Sequence, residues 1–133
     1  MEIKIIVPSG ITTSKTVAWG GKAKELFHSS QEAIRHAVQN CPNNNILREW
    51  LESRKKLDLT VNFCLSKKRV SHVDIDSMLS DLLNPLVEGA CGPRPGGRPI
   101  PQTKDALFWR VLARKIKMED ERIEIFIKEY EIE

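Results

Sequence analysis

Val73-Asp74-Ile75-Asp76-Ser77-Met78-Leu79-Ser80-Asp81-Leu82-Leu83, preceded by the basic run Lys67-Lys68-Arg69, sets two carboxylates one residue apart at the mouth of an amphipathic helix. Ile75, Met78, Leu79, Leu82, Leu83 and Leu86 follow the i, i+3, i+4, i+7 spacing that lays one helical face on a core. Asp74 and Asp76 then fall at or just before the first turn, where unpaired backbone N–H groups and the positive end of the helix dipole favour negative side chains. Two readings fit such a pair. Asp is a preferred N-cap, so Asp76 can simply cap the helix while Asp74 sits in solvent. Alternatively, the two belong to a metal site. Downstream, Pro85 removes a donor and disfavours helical geometry at Asn84, so the helix is predicted to end or kink there.

Outward from that helix, the strongest strand is the segment before it. Leu57, Leu59, Val61, Phe63 and Leu65 alternate with Asp58, Thr60, Asn62 and Cys64, the period of an extended chain with one face inward. Glu2 to Val7 reads as a first strand closed by Pro8 and Gly10, and Ile123, Ile125 and Ile127 mark a last one. Between them, Ser29 with Glu32 suggests a capping box for a helix carrying Ala33, Ile34, Ala37 and Val38, stopped at Cys41-Pro42. Asn45 is placed to cap a short helix with Ile46, Leu47, Trp50 and Leu51 on its inner side; Trp50 reads as core. Thr12 to Lys22 has no apolar period and reads as loop. Leu107, Phe108, Val111, Leu112 and Ile116 suggest a helix showing Arg110, Arg114 and Lys117 outward, with a strand as the alternative for part of it. Residues 89–103, rich in Gly and Pro and carrying Arg94 and Arg98, bury too little to fix their backbone and are predicted to be mobile. The Met118-Glu119-Asp120-Glu121 break puts Asp120 at the entrance of the last strand. The pattern predicts one α+β domain over residues 1–133, a mixed sheet with packed helices.

The chain has 133 residues and a formal net charge of +3, enough length for one real core and too little charge to identify a nucleic-acid binder by bulk alone. Cys41, Cys64 and Cys91 are odd in number and widely spaced, which offers neither a disulfide framework nor a zinc signature. His28, His36 and His72 have no Cys or Ser partner at catalytic spacing. Gly20-Gly21 and Gly96-Gly97 lack the strand and helix order of a phosphate-binding loop. The apolar run from Ile3 to Val7 is too short for a signal peptide, and no run is long enough to cross a bilayer. A cytoplasmic, reduced, soluble protein with no membrane partner is expected.

Taken together, these elements resemble the RusA-like Holliday junction resolvases, in which a strand and a basic run lead into Asp-x-Asp-Asn-x-x-Lys on a helix and an acidic pair follows before a later strand. Here the first motif is Lys67-Lys68-Arg69 with Asp74-Ile75-Asp76-Ser77, and the second is Met118-Glu119-Asp120-Glu121-Arg122-Ile123. The Pro8-Ser9 turn and the segment Ser29 to Ala37 with Arg35 resemble the family's amino-terminal half. The family's Lys is missing: Ser80 stands in its place, Ser77 replaces the Asn, and the acidic motifs lie further apart than is usual.

The resemblance implies a RusA-like fold and a Mg²⁺-dependent DNA endonuclease, with Mn²⁺ as a substitute. Asp74, Asp76 and Asp120 would be the catalytic, metal-binding carboxylates, with Glu119 as a further ligand. Lys67, Lys68, Arg69, Arg94 and Arg98 would contact DNA, and Lys104, Lys115 or Lys117 would stand in for the absent Lys. The substrate would be branched DNA such as a four-way junction, met by a homodimer with one acidic cluster per subunit, through in-line attack by a metal-activated water. Carboxylates gathered in this way repel one another unless a cation joins them. Two rivals remain open: a nucleic-acid-binding protein of the same fold that has lost cleavage, and, outside the resemblance, a non-enzymatic partner-binding module whose Asp74 is only near a cap.

Overall fold

Apolar residues at every second position build the centre of this protein. The computed structural model describes residues 1–8, 21–71, 73–92 and 107–131, with residues 21–27 described by backbone alone. The elements are β1 (Glu2–Val7), α1 (Gly21–Gln39), α2 (Asn44–Glu52), β2 (Leu57–Leu65), α3 (Lys67–Val70), α4 (Ile75–Cys91), β3 (Phe108–Lys117) and β4 (Arg122–Glu129). The four strands form one sheet in the order β1-β4-β2-β3. β4 is antiparallel to both β1 and β2, whereas β2 and β3 run parallel, so the sheet is mixed and the fold is α+β. A parallel pair needs a crossover, and the chain between β2 and β3 contains α3 and α4.

Ile3, Ile5 and Val7, Leu57 to Leu65 at odd positions, and Ile123, Ile125 and Ile127 turn to one face of the sheet. There they join Ile34 and Val38 of α1, Leu47, Trp50 and Leu51 of α2, and Met78, Leu82 and Leu86 of α4 in a single buried core. Large aliphatic side chains removed from water on this scale are the main force holding sheet and helices together.

Four local expectations are corrected. α4 runs unbroken through Pro85 to Cys91, so the segment expected to be mobile from residue 89 is helical as far as residue 91; residues 93–103 lie outside the described residues. Pro85 cannot donate to the carbonyl of Asp81, and the Gln31 side-chain amide of α1 donates to that oxygen instead at 2.9 Å, so the acceptor left open by the proline is filled. At Gly89 the two helices touch, since a Cβ there would lie 2.7 Å from the Arg35 carbonyl oxygen and 2.8 Å from Val38 Cβ.

α1 begins at Gly21, so Ser29 lies inside it and caps nothing; Lys22, Ala23, Lys24, Glu25 and Leu26 are good helix formers that extend the helix toward its amino end. For α2 the N-cap is Asn43, without a side-chain capping bond, and not Asn45. The fourth correction is the helix predicted over Leu107 to Ile116, most of which is strand β3. β2 needs hydrogen-bond partners on both sides, and β3 supplies one of those ladders as an edge strand.

Candidate functional site: the acidic edge of the sheet

β2 and β3 end, and β4 begins, at one edge of the sheet, and this topology brings together what the sequence holds far apart. Met118 N–H donates to the Leu65 carbonyl at 2.8 Å, which pins the β3–β4 turn beside the exit of β2. From that exit the chain enters α3, whose Lys67 and Lys68 are exposed, and then reaches Asp74. Glu119 and Asp120 lie in that turn, Asp74 and Asp76 at the start of α4, and all four are exposed.

The start of α4 is held by hydrophobic contact and not by a carboxylate. Val73 before the cap and Met78 in the first turn are both buried in the core, the arrangement of a hydrophobic staple. Asp74, and not Asp76, occupies the N-cap position with extended backbone, yet its side chain makes no capping bond to a backbone N–H. Its carboxylate instead accepts from the Ser77 hydroxyl at 2.9 Å. Asp76 lies in the first helical turn. The expectation that Asp76 caps the helix is thus corrected.

Glu121, which the sequence did not single out, is the acid engaged by the fold. Its carboxylate accepts from Ser66 N–H and from Arg69 Nη1, each at 2.9 Å, and the side chain is 12% exposed. Burial alone would raise its pKa, but the Ser66 backbone bond and the Arg69 guanidinium outweigh burial and hold it below the usual carboxylate value. Arg69 is consequently committed to Glu121, while Lys67 and Lys68 stand outward. A signal for Glu121 was present in the sequence: it lies two residues before the inward-facing Ile123 and so shares that side of the strand.

Among the cations proposed to replace the missing Lys, Lys115 Nζ donates to the Val70 carbonyl at 2.9 Å, against the link that leads to Asp74. Lys117 is exposed at the end of β3, and Ser80 is exposed on α4. Lys104, Arg94, Arg98 and His72 lie outside the described residues.

Among the described residues, no group of three or more His, Cys, Asp or Glu side chains could hold a metal ion. Asp74, Asp76 and Asp120 share an edge but are not drawn into one three-carboxylate cage. A separate cleft of about 520 Å³ opens between α1 and the far end of α4, lined by Glu32, Arg35, His36, Arg48 and Glu88. Arg35 there is paired with Glu32 and Glu88, which leaves the cleft mixed in charge. Glu88 lies thirteen residues from the start of α4, about 20 Å along the helix, so the cleft is distinct from the acidic edge. No helix among the described residues is long and apolar enough to cross a membrane. No protein-family model matches the chain, and no curated protein matches it either.

Proposed function

We propose that the protein is a Mg²⁺-dependent endodeoxyribonuclease of RusA-like fold that cuts branched DNA such as four-way junctions, acting in the cytoplasm as a homodimer. The observation that supports this most is the exposure of Asp74 and Asp76 at the start of α4, with exposed Lys67 and Lys68 just before them at the exit of β2 and exposed Glu119 and Asp120 in the β3–β4 turn that is pinned beside that exit. Oxygen donors suit a hard cation, and Mg²⁺ takes one or two carboxylates, filling the rest of its shell from water and substrate phosphate. Asp74 and Asp76 fit that demand in kind, with Mn²⁺ as a substitute ion, whereas among the described residues Asp120 and Glu119 are not gathered with them into a group of three. When bound, the metal supplies positive charge for the scissile phosphate and for the attacking water.

The chain's own residues do the rest. Ser77 holds the Asp74 carboxylate in one orientation. Lys67 and Lys68 contact flanking phosphates, which positions the backbone without reading sequence. Lys115 offers a cation beside the Val70–Asp74 link in place of the missing Lys. A junction has two-fold symmetry, and a symmetric dimer would offer one acidic edge to each of two opposed strands.

A second reading, junction binding without cleavage, is favoured by the absence of a three-carboxylate group among the described residues and by Ser80. Incubating a synthetic four-way junction with Mg²⁺ and the native chain or Asp76→Asn separates the two. Paired nicks made by the native chain and lost in Asp76→Asn support the nuclease. Junction binding without product, in Mg²⁺ and Mn²⁺ alike, leaves the binder, and equal affinity for junction and linear duplex removes both.

A further inference from the structure

The sheet face turned away from the core carries a different chemistry. Its residues are those of opposite parity: Arg110, Leu112 and Arg114 on β3 lie level with Asp58, Thr60 and Asn62 on β2, which in turn face Lys128, Phe126 and Glu124 on β4. At one end of this face the β2–β3 register shifts between Leu57 and Asp58, which makes Trp109 the extra residue of a bulge, and it is 54% exposed. Its ring centroid lies 5.9 Å from that of Tyr130, and Lys56 Nζ stands 4.2 Å from it. Further across the sheet Lys4 Nζ stands 5.6 Å from the centre of Phe126, while Leu112 is 38% exposed between the two β3 arginines.

Charge on this face is sorted by depth. Asp58 is 7% exposed beneath Arg110, which is 55% exposed. Glu124 is 16% exposed, between Asn62 and Arg122. Asp58 and Glu124 lie at the floor with arginines above them, and Glu2 is exposed only on the outer strand β1 beside Lys128, so an incoming ligand meets a positive surface over β2 and β3. The arginines are also oriented in advance: Arg110 donates to Asp58 at 3.0 Å, and Arg114 donates through Nε to Asn62 at 2.9 Å. Side chains held in this way lose less freedom when they take up a phosphate.

We infer that this face binds an unpaired nucleic-acid strand, with bases against Trp109 and Phe126 and phosphates at Arg110, Arg114 and Lys56. Aromatic rings interleaved with fixed cations on a broad sheet suit bases that are splayed out and stacked, and a duplex keeps its base faces covered. A negatively charged protein partner would match the cations but gives no reason for an exposed indole beside them. Trp109 is the second residue of β3 and Glu119 follows its end, about 30 Å apart along an extended strand, so this surface is separate from the acidic edge and does not rest on cleavage there.

The test is fluorescence anisotropy of a labelled oligothymidylate strand, and of a duplex of equal length, with the full chain at two salt concentrations. The strand binds more tightly than the duplex. Trp109→Ala weakens strand binding by about tenfold or more and Trp109→Phe recovers much of it, as expected for one stacked base. Arg114→Gln weakens it severalfold and flattens the salt dependence. Gln39→Ala, on α1, serves as the control and binds as the native chain does. Circular dichroism of each variant establishes that it is folded. A duplex bound as tightly as the strand, or strand affinity unchanged in folded Trp109→Ala and Arg114→Gln, overturns the assignment. So does a native dimer that Trp109→Ala converts to monomer in sedimentation without any strand binding, because the face then belongs to a second copy. Junction cleavage measured on the same preparations fails or survives independently of these results.

Discussion

Glu121 and Asp76 lie at one edge of one sheet, in opposite settings. Glu121 has its oxygens occupied by Ser66 N–H and the Arg69 guanidinium and is largely buried, whereas Asp76 and its neighbour Asp74 are exposed at the start of α4. The first carboxylate ties the entrance of β4 to α3; the second pair is presented by the start of α4. The difference teaches that proximity of acids does not make them equivalent. A carboxylate whose acceptor sites are filled by the protein is structural, and a carboxylate facing solvent on a fixed backbone is free to take a ligand.

The largest effect on stability should therefore come from Glu121. Glu121→Gln removes the charge from two charge-assisted bonds and is expected to cost about 2 kcal/mol, a fall of about 6 to 10 °C in Tm for a domain of this size. Asp76→Asn should change stability by less than about 0.5 kcal/mol. Thermal melts of both variants check this, and an equal loss in both would erase the distinction between the two kinds of acid.

The same comparison predicts a pH dependence. Because the folded chain holds Glu121 below its ordinary value of 4.5, its contribution to stability is present above that pH and is lost as the pH falls through the lower folded value. The gap in Tm between the native chain and Glu121→Gln should be constant near neutrality and narrow as the solution is acidified below about pH 4.5. Glu124, held low by the Asn62 amide against the effect of burial and then by Arg122, titrates in both proteins and cancels from the difference. A gap independent of pH down to acid unfolding would mean that Glu121 stabilises through packing and not through its charge.

How much of this edge could be read in the sequence depends on which residues face the core. β1 and β4 alternate cleanly because one of their faces is buried under helices, β2 alternates apolar with polar side chains although both of its faces are covered, and α4 shows its stripe because one side packs on the core. β3 shows no such alternation: it is an edge strand, Val111 and Leu112 on its two faces are both partly exposed, and its apolar residues fit a helical period as well as an extended one. The continuation of α4 through Pro85 depends on a donor from Gln31, fifty residues away, which no local pattern reveals. Asp74 and Asp76 were legible because a helix start is a local feature. Among three successive acids, the one that turns inward is set by the position of Arg69, and only the parity with Ile123 pointed to it.

A smaller effect separates the two kinds of acid by ligand. If the exposed pair takes a divalent ion, Mg²⁺ at ten times its dissociation constant raises stability by about 1.4 kcal/mol. That gain should vanish in Asp74→Asn and Asp76→Asn and persist in Glu121→Gln. Melts at increasing MgCl₂, with matched NaCl as the control for ionic strength, provide the measurement. An increase that survives both Asp substitutions would place the ion elsewhere and leave Asp74 and Asp76 without a role in binding it.

Ser77 sharpens the comparison at its finest grain. Its hydroxyl donates to the Asp74 carboxylate at 2.9 Å on an accessible surface, so Ser77→Ala removes one solvent-exposed bond and should change stability by no more than about 0.5 kcal/mol. Its effect on the ion should be larger than its effect on the fold, because the hydroxyl orients a ligand, and a carboxylate free to rotate must be ordered when the metal arrives. The midpoint of the Mg²⁺-dependent rise in Tm should move severalfold higher in Ser77→Ala while the Tm without Mg²⁺ stays at the native value. A midpoint that does not move would mean that the Ser77 hydrogen bond holds Asp74 for the helix alone, which would return the first acid of the pair to the structural side of the divide that Glu121 defines.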